Sequence, residues 1–266
     1  MRSFLLRSLL VFSILVGLGV LGMTSVGMSP TSLVANVAVG TGMGAKLACS
    51  GHFLSRFDEA QIRQDLGSYS SAYDWLSLDI DEQAQRAHVS LMGFAETSAT
   101  YREGIGCTLD PGNGDLLTQL NAPKEPLADN SLPWPAGSAE PILNETLMQT
   151  LAASMAQDQA EGLQTRALVL VQRGQILAEA YAPDITPDTP LMGWSMGKSL
   201  TALMLGWLEQ RGQLTVDERR LFDEWSSDER ATIKIQNLLQ MTSGLDFSEF
   251  YAPGSEATRL VVMESS

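Results

Sequence analysis

The nine residues MGWSMGKSL, which begin at position 192, combine residue types that could carry three different kinds of chemistry. Gly193, Ser195 and Gly197 follow the pattern Gly-x-Ser-x-Gly, in which a sharp turn between a strand and a helix exposes a nucleophilic serine. The closing Gly-Lys-Ser matches the end of a phosphate-binding loop. Ser195 and Lys198 have the spacing Ser-x-x-Lys, which is typical of a nucleophile and its general base.

Two of these interpretations conflict with the surrounding sequence. A phosphate-binding loop needs a glycine five residues before Gly197, and Met192 occupies that position. The exposed serine turn needs an apolar strand directly before it, whereas the approach DITPDTPLMGW contains prolines that a central strand excludes. That turn also needs a histidine later in the chain, and none follows His88. The surrounding sequence therefore favours the Ser-x-x-Lys interpretation.

A helix is predicted from Ser195 to about Gln210, with Gly212 as its stop, and it would bring the two side chains of this pair together. Residues three apart lie on the same side of a helix, so Lys198 would reach Ser195. The positive end of the helix dipole would favour negative charge that develops at the serine. A lysine acts as a base only where its charge is disfavoured, and the apolar sequence LTALMLGWL predicts that this helix is buried. An ordinary core helix with a serine at its start and a surface lysine is the alternative.

The composition indicates a folded, acidic chain. It has 266 residues, of which 44% are hydrophobic, and a net charge of −14 with only four lysines. Such a charge leaves no basic surface for nucleic acid. The two histidines, His52 and His88, are isolated, and no Cys, His and carboxylate residues have the spacing of a metal site, so we expect neither a metal nor a cofactor.

The N-terminus predicts a membrane segment. Two arginines precede the apolar residues 8–28, which are long enough to cross a bilayer as a helix. We expect residues 1–28 to be a signal anchor in a bacterial inner membrane, with the rest of the chain in the periplasm or outside. A cleaved signal peptide and a secreted protein are the alternative. That compartment is oxidising, so a disulfide between Cys49 and Cys107 is expected, with two buried free thiols as the alternative.

The remaining elements follow from local patterns. Residues 29–48 are expected to form a glycine-rich linker at the start of an N-terminal extension, 29–120, and five prolines in 121–141 predict a second linker. Asn144 is a candidate helix cap, and the apolar spacing after it predicts a helix to about Glu161. Residues 166–182 read as a β-hairpin with Arg173-Gly174 at its turn.

These patterns together resemble a known family. GWSMGKSLTALMLGWLEQRGQL and the downstream IKIQNLLQMTSGLDFSEFY look like the serine β-lactamase and penicillin-binding-protein-like family, closest to its class C-like branch of esterases and 6-aminohexanoate-dimer hydrolases. ALVLVQRGQILAEAYAP resembles the opening hairpin of that family. AKLACSGHF, YREGIGCTL and PWPAG resemble the N-terminal extension of its membrane-associated members. The resemblance implies an α+β fold, an incomplete α/β sandwich of the β-lactamase/transpeptidase type over 142–266, preceded by an N-terminal transmembrane helix.

The resemblance also implies a mechanism. Ser195 would attack an ester, amide or β-lactam carbonyl of a small-molecule or peptide-like substrate, and Lys198 would accept its proton. The backbone N–H of Ser195 would supply one half of the oxyanion hole. Tyr251, on the loop after Met-Thr-Ser-Gly, lies about where that branch places a substrate-binding tyrosine, with an ordinary loop tyrosine as the alternative.

The chain also departs from the family pattern. It lacks a second tyrosine in a Tyr-x-Asn-like motif and a Lys- or His-Thr/Ser-Gly strand, and it ends at VVMESS. We therefore expect this chain to be an inactive N-terminal fragment of a serine hydrolase, of the esterase or amidase type. A non-catalytic, envelope-anchored binding module with the same fold is the alternative function.

Overall fold

The computed structural model describes residues 30–93, 95–110, 131–134, 137, 139–249 and 255–262. The chain divides into two compact units, one of residues 40–190 and one that joins residues up to Val39 to Leu191–Glu264. The mixture of helices and antiparallel strands agrees with the predicted α+β class.

The 40–190 unit starts with helices that lead into a four-stranded sheet. Helix α1 is Pro30–Cys49, of which residues 40–49 belong to this unit, and it continues into a π-helical turn, Ser50–Leu54. Helix α2 is Glu59–Tyr69, and a 3₁₀ turn, Ser71–Trp75, follows it. The strands are β1 (Leu76–Asp81), β2 (Arg86–Leu91), β3 (Ala95–Arg102) and β4 (Gly106–Asp110), which pair antiparallel in sequence order.

Alternation along these strands builds a core on one side of the sheet. Ala87, Val89, Ala99 and Cys107 are almost fully buried, while their strand neighbours are more exposed. This is the pattern of an antiparallel sheet that covers a core with one face only. The end of α1, the π-helical turn and α2 fill the other side of that core, with the side chains Ala45, Leu47, Ala48, Cys49, Phe53, Ile62 and Leu66.

The prediction of a glycine-rich linker over 29–48 is wrong, because residues 30–49 form α1. One of the glycines, Gly44, allows close packing of this helix. A Cβ atom on Gly44 would lie 2.9 Å from Cδ1 of Leu76 and 3.2 Å from Cγ1 of Val89. Glycine is therefore the residue that lets the helix approach the sheet at this point.

The prediction of an N-terminal transmembrane helix in the fold needs correction. None of the helices in the described ranges is long and apolar enough to cross a membrane. Although α1 has 20 residues, it contains Lys46 and several small or polar residues, and its second half packs on the sheet. The apolar residues 8–28, on which the prediction rested, lie outside the described residues.

The disulfide between Cys49 and Cys107 is present. It joins the last residue of α1 to β4, with the two cysteines 0% and 3% exposed. The Lys46 ammonium donates a hydrogen bond to the backbone oxygen of Cys107, in the same place. The end of α1 is therefore attached to the sheet by a covalent bond and by a polar contact.

The second part of the 40–190 unit follows the sequence predictions closely. Helix α3 is Glu145–Ala160, and Oδ1 of its cap Asn144 accepts a hydrogen bond from the Leu147 amide at 3.0 Å. Strands β5 (Ala167–Gln172) and β6 (Gln175–Tyr181) form the predicted hairpin. The turn residues Arg173 and Gly174 both have positive φ, 53° and 75°, as a tight hairpin turn requires.

Contacts across the 40–190 unit join its two parts. Arg166, just before β5, pairs with Asp65 of α2, and its guanidinium lies 4.8 Å from the Phe57 ring centroid. Ser55 donates a hydrogen bond of 2.7 Å to the carbonyl of Pro190. The division of the structure thus falls at 190/191, whereas the sequence suggested a linker at 121–141. Most of that linker lies outside the described residues, so the predicted domain bounds stay a prediction.

The unit that contains residues 191–264 is helical in its described part. Helix α4 is Met196–Gln210, and Gly212 follows it with a φ of 68°, as predicted for a helix stop. Two 3₁₀ turns, Asp223–Trp225 and Glu229–Thr232, precede the short helix α5, Ile235–Leu239. The last described helix, α6, is Glu256–Val262.

Replacing both cysteines by alanine should destabilise the 40–190 unit. The disulfide closes a loop of 58 residues, which is worth about 4 kcal/mol in the chain-entropy model and about 2–4 kcal/mol in typical measurements. Urea unfolding of the oxidised protein and of the Cys49→Ala/Cys107→Ala variant would measure the loss. An unchanged free energy of unfolding would show that the disulfide does not hold this unit together.

Alanine substitutions at two glycines of α1 should have opposite effects. Gly44→Ala should cost about 1–3 kcal/mol, because the added methyl group meets Leu76 and Val89 in a packed core. Gly40→Ala is the matched control, since nothing lies within 4 Å of its added Cβ, and it should stabilise the helix by about 0.5–1 kcal/mol. Thermal or urea unfolding measures both. Equal effects at the two positions would contradict the packing of α1 on the sheet.

Candidate functional site

Ser195 and Lys198 lie together at the start of α4. Ser195 is the residue directly before the helix, and its hydroxyl makes no capping hydrogen bond to the backbone. The Lys198 Nζ donates instead to the Ser195 Oγ, at 3.2 Å. The helical spacing of the Ser-x-x-Lys pattern therefore produces the side-chain pair that it predicts.

A tight turn leads into this pair. Trp194, the residue before Ser195, has a φ of 41°, which few residues other than glycine adopt. The amides of Met196 and Gly197 donate to the carbonyls of Gly193 and Trp194, at 2.9 and 3.1 Å. This turn sets the direction in which the chain enters α4 at Ser195.

An apolar cleft of about 610 Å³ adjoins Lys198. Its size is within the range of small-molecule sites, about 300–1,000 Å³. Backbone hydrogen bonds between segment 216–218 and the start of α5 bring its walls together, with the Gln236 amide 2.9 Å from the Val216 carbonyl. The residues that line it are Lys198, Thr201, Ala202, Leu205, Leu214, Glu218, Arg220, Leu221, Phe222, Ile235, Leu238, Leu239 and Met241.

The cleft carries few charges. Besides Lys198, its charged lining residues are Glu218 and Arg220, and Arg220 has a positive φ of 54°. Next to the cleft, the Lys234 ammonium donates a hydrogen bond of 2.5 Å to Asp217. This bond, together with the positive charge, lowers the pKa of the Asp217 carboxyl from its usual value. The pair flanks the backbone hydrogen bonds that join the two walls.

The predicted burial of α4 is wrong. No residue of α4 is buried, and Ser195 and Lys198 are both exposed. Leu200, Leu203, Met204 and Trp207, which share one side of the helix, are between 52% and 71% exposed. The apolar sequence LTALMLGWL indicates that this side of α4 can pack against another element, but it does not indicate which element that is.

The other predicted site residues have separate outcomes. Tyr251 lies outside the described residues, so its substrate-binding role stays a prediction. Cys49 and Cys107 form a structural disulfide in the 40–190 unit. No group of three or more His, Cys, Asp or Glu side chains that could hold a metal occurs in the described part of the chain.

Sequence reasoning did not find the residues that line the cleft. Leu214, Leu221 and Ile235 come from three separate segments, and only the folded chain brings them to one place. The apolar positions of α5 were a partial signal, because Ile235, Leu238 and Leu239 repeat at helical spacing.

The comparison with known families agrees with this geometry. Residues 147–261 match the model of the β-lactamase family. The matched region starts within α3, contains the β5–β6 hairpin and the Ser195–Lys198 pair, and ends within α6. This match supports the resemblance to the serine β-lactamase and penicillin-binding-protein-like family. No curated protein and no solved structure gives a significant match to the chain.

The match carries a functional suggestion at the level of the family. A β-lactamase-family domain suggests a serine hydrolase that works through an acyl-enzyme, with a small-molecule or peptide acyl substrate. Residues 1–146, which include the disulfide and the four-stranded sheet, lie outside the matched region. The family comparison therefore covers residues 191–261 of the unit that contains α4 and residues 147–190 of the 40–190 unit.

Glutamine substitutions in α4 should distinguish its exposed side from the side at the cleft. Leu203 is 71% exposed, so Leu203→Gln should change the free energy of unfolding by no more than about 0.5 kcal/mol. Leu205→Gln is the matched comparison, since it places an amide among the apolar walls of the cleft and should cost about 1 kcal/mol or more. Urea unfolding measures both. A large loss at Leu203 would show that this side of the helix is covered.

Proposed function

We propose that this protein is a serine hydrolase whose nucleophile is Ser195 and whose general base is Lys198. The observation that carries the proposal is the 3.2 Å contact between Lys198 Nζ and Ser195 Oγ at the start of α4. The pair lies inside the region that matches the β-lactamase family. An esterase or amidase activity of the class C-like branch fits the sequence resemblance best.

The proposed reaction follows acyl-transfer chemistry. The unprotonated Lys198 amine accepts the hydroxyl proton while Ser195 Oγ forms a bond to the substrate carbonyl carbon. The resulting oxyanion is stabilised by the Ser195 backbone N–H and the positive end of α4. The tetrahedral intermediate expels the alcohol or amine, which takes the proton from Lys198. Water then attacks the ester on Ser195 and releases the acid.

The cleft beside Lys198 supports a substrate with an apolar part. Most of its lining side chains are aliphatic or aromatic, and its volume of about 610 Å³ admits a small molecule or a short peptide-like chain. Arg220 is a cation at the same cleft that a carboxylate on such a substrate could contact. We therefore propose a carboxylic ester or amide with an apolar acyl or leaving group.

A non-catalytic binding role is the second candidate. It is favoured by the exposure of both Ser195 and Lys198, because a base lysine works best in a site that disfavours its charge. For the same reason we propose that the Ser195–Lys198 pair of this chain forms the acyl-enzyme slowly.

The disulfide supports an extracytoplasmic location. Buried disulfides such as Cys49–Cys107 persist in oxidising compartments and are rare in the cytosol of most organisms. We propose that the folded chain works in the periplasm or outside the cell.

A fluorophosphonate probe tests the proposed function. The probe should label Ser195, because an activated serine oxygen displaces fluoride from its phosphorus, and peptide mass spectrometry should locate the adduct there. Ser195→Ala should abolish the label. Ser199→Ala is the matched control, since Ser199 is an exposed serine of the same helix and should leave labelling unchanged. No adduct on Ser195, with the chain folded, would refute the hydrolase and favour the binding role.

A further inference from the structure

A hydrogen bond connects Ser55, in the N-terminal half of the 40–190 unit, to Pro190, the last residue of the segment 182–190 that leads towards Ser195. Ser55 Oγ donates to the Pro190 carbonyl oxygen at 2.7 Å, across 135 residues of sequence. Ser55 is only 9% exposed, so its hydroxyl is a buried polar group in a defined place. Four residues, 191–194, lie between Pro190 and Ser195.

Ser55 itself is held firmly. It ends the π-helical turn that follows Cys49, and its amide donates to the Ser50 carbonyl at 3.1 Å. Two residues after Ser55, the Phe57 amide donates a hydrogen bond of 2.9 Å to the Gly51 carbonyl of the same turn. Because the disulfide attaches Cys49 to β4, the whole turn that carries Ser55 is tied to the sheet.

Residues 182–190, the segment that ends at Pro190, are otherwise stabilised by local contacts. The Ile185 amide donates to the Ala182 carbonyl, and the Thr189 amide donates to the Thr186 carbonyl. The Thr189 hydroxyl also accepts from the Thr186 amide at 2.9 Å. These bonds are local, and none of them connects Pro190 to another element. The hydrogen bond from Ser55 connects Pro190 to the π-helical turn, immediately before the chain enters the unit that carries Ser195.

We propose that Ser55 is a positioning residue for Ser195, because its hydroxyl fixes Pro190 and thereby restrains residues 191–195. This inference rests on the proposed function for its kinetic consequence only. A restrained approach favours the reactive geometry of the nucleophile, since small displacements of a reacting group slow acyl transfer strongly. The N-terminal half of the chain, which lies outside the family match, would then contribute to catalysis without contacting the substrate.

The test compares three substitutions in the full chain. Ser55→Ala removes the donor, Ser55→Thr retains a hydroxyl, and Ser68→Ala is a control at an exposed serine whose hydroxyl bonds only locally to Asp65. Fluorophosphonate labelling of Ser195 is followed at several probe concentrations, which separates the maximal rate of labelling from the affinity for the probe. Hydrogen exchange of the peptides that cover residues 186–196 is measured in the same samples.

Ser55→Ala should lower the maximal labelling rate by about two- to tenfold, the range expected from one lost hydrogen bond, and leave the probe affinity unchanged. It should also speed exchange in 186–196, whereas the exchange of the later turns of α4 stays as before. Ser55→Thr should restore most of the rate, and Ser68→Ala should have no effect. Loss of affinity rather than of rate, or equal effects of Ala and Thr, would overturn the inference.

The two proposals can fail separately. If the unsubstituted chain labels and Ser55→Ala labels at the same rate, the positioning role is wrong and the hydrolase stands. If the unsubstituted chain takes no label, the hydrolase fails, and hydrogen exchange alone decides whether Ser55 restrains residues 191–195. Unchanged exchange in Ser55→Ala would then refute the restraint as well.

Discussion

The covalent bond between Cys49 and Cys107 is the constraint on which the 40–190 unit depends. It fixes the end of α1 to β4, where Gly44 lets the helix lie close against Leu76 and Val89. The π-helical turn begins directly after Cys49 and carries Ser55. From there a hydrogen bond reaches Pro190, the last residue before the chain enters the unit that contains α4. The disulfide, the π-helical turn and the Ser55–Pro190 hydrogen bond therefore form a series of contacts that starts in the core of the 40–190 unit. It ends at Pro190, five positions before Ser195 in the sequence.

The candidate site itself needs little more than one helical turn. The Ser-x-x-Lys spacing brings Lys198 Nζ to Ser195 Oγ, and the left-handed Trp194 turns the chain sharply just before the helix. In the described residues no other element buries this pair, because the side chains of Ser195 and Lys198 are both exposed. The apolar side of α4 from Leu200 to Trp207 is exposed as well. The cleft beside Lys198 supplies an apolar environment on one side only. This exposure explains why we propose a slow reaction at Ser195.

Local signals in the sequence were enough for several elements. The Asn144 cap, the Arg173-Gly174 turn and the Gly212 stop are determined by residues close in sequence, and α3, the β5–β6 hairpin and α4 appear where these signals predict them. Features that depend on distant residues were not predictable in this way. The glycines of α1 predicted a linker, because only the facing sheet reveals that Gly44 allows close packing. The cleft and the Ser55–Pro190 bond likewise join segments that are far apart in the chain.

The most direct measurement of the central claim is the rate at which a fluorophosphonate phosphonylates Ser195 in the unsubstituted chain and in Lys198→Met. Without the Lys198 amine no neighbouring group accepts the serine proton, so Lys198→Met should label more slowly by about 10²-fold, the low end of what general-base assistance contributes. Lys234→Met, at a lysine that pairs with Asp217, is the control and should label at the unsubstituted rate. Equal labelling rates in the unsubstituted chain and in Lys198→Met, with both chains folded, would contradict the account.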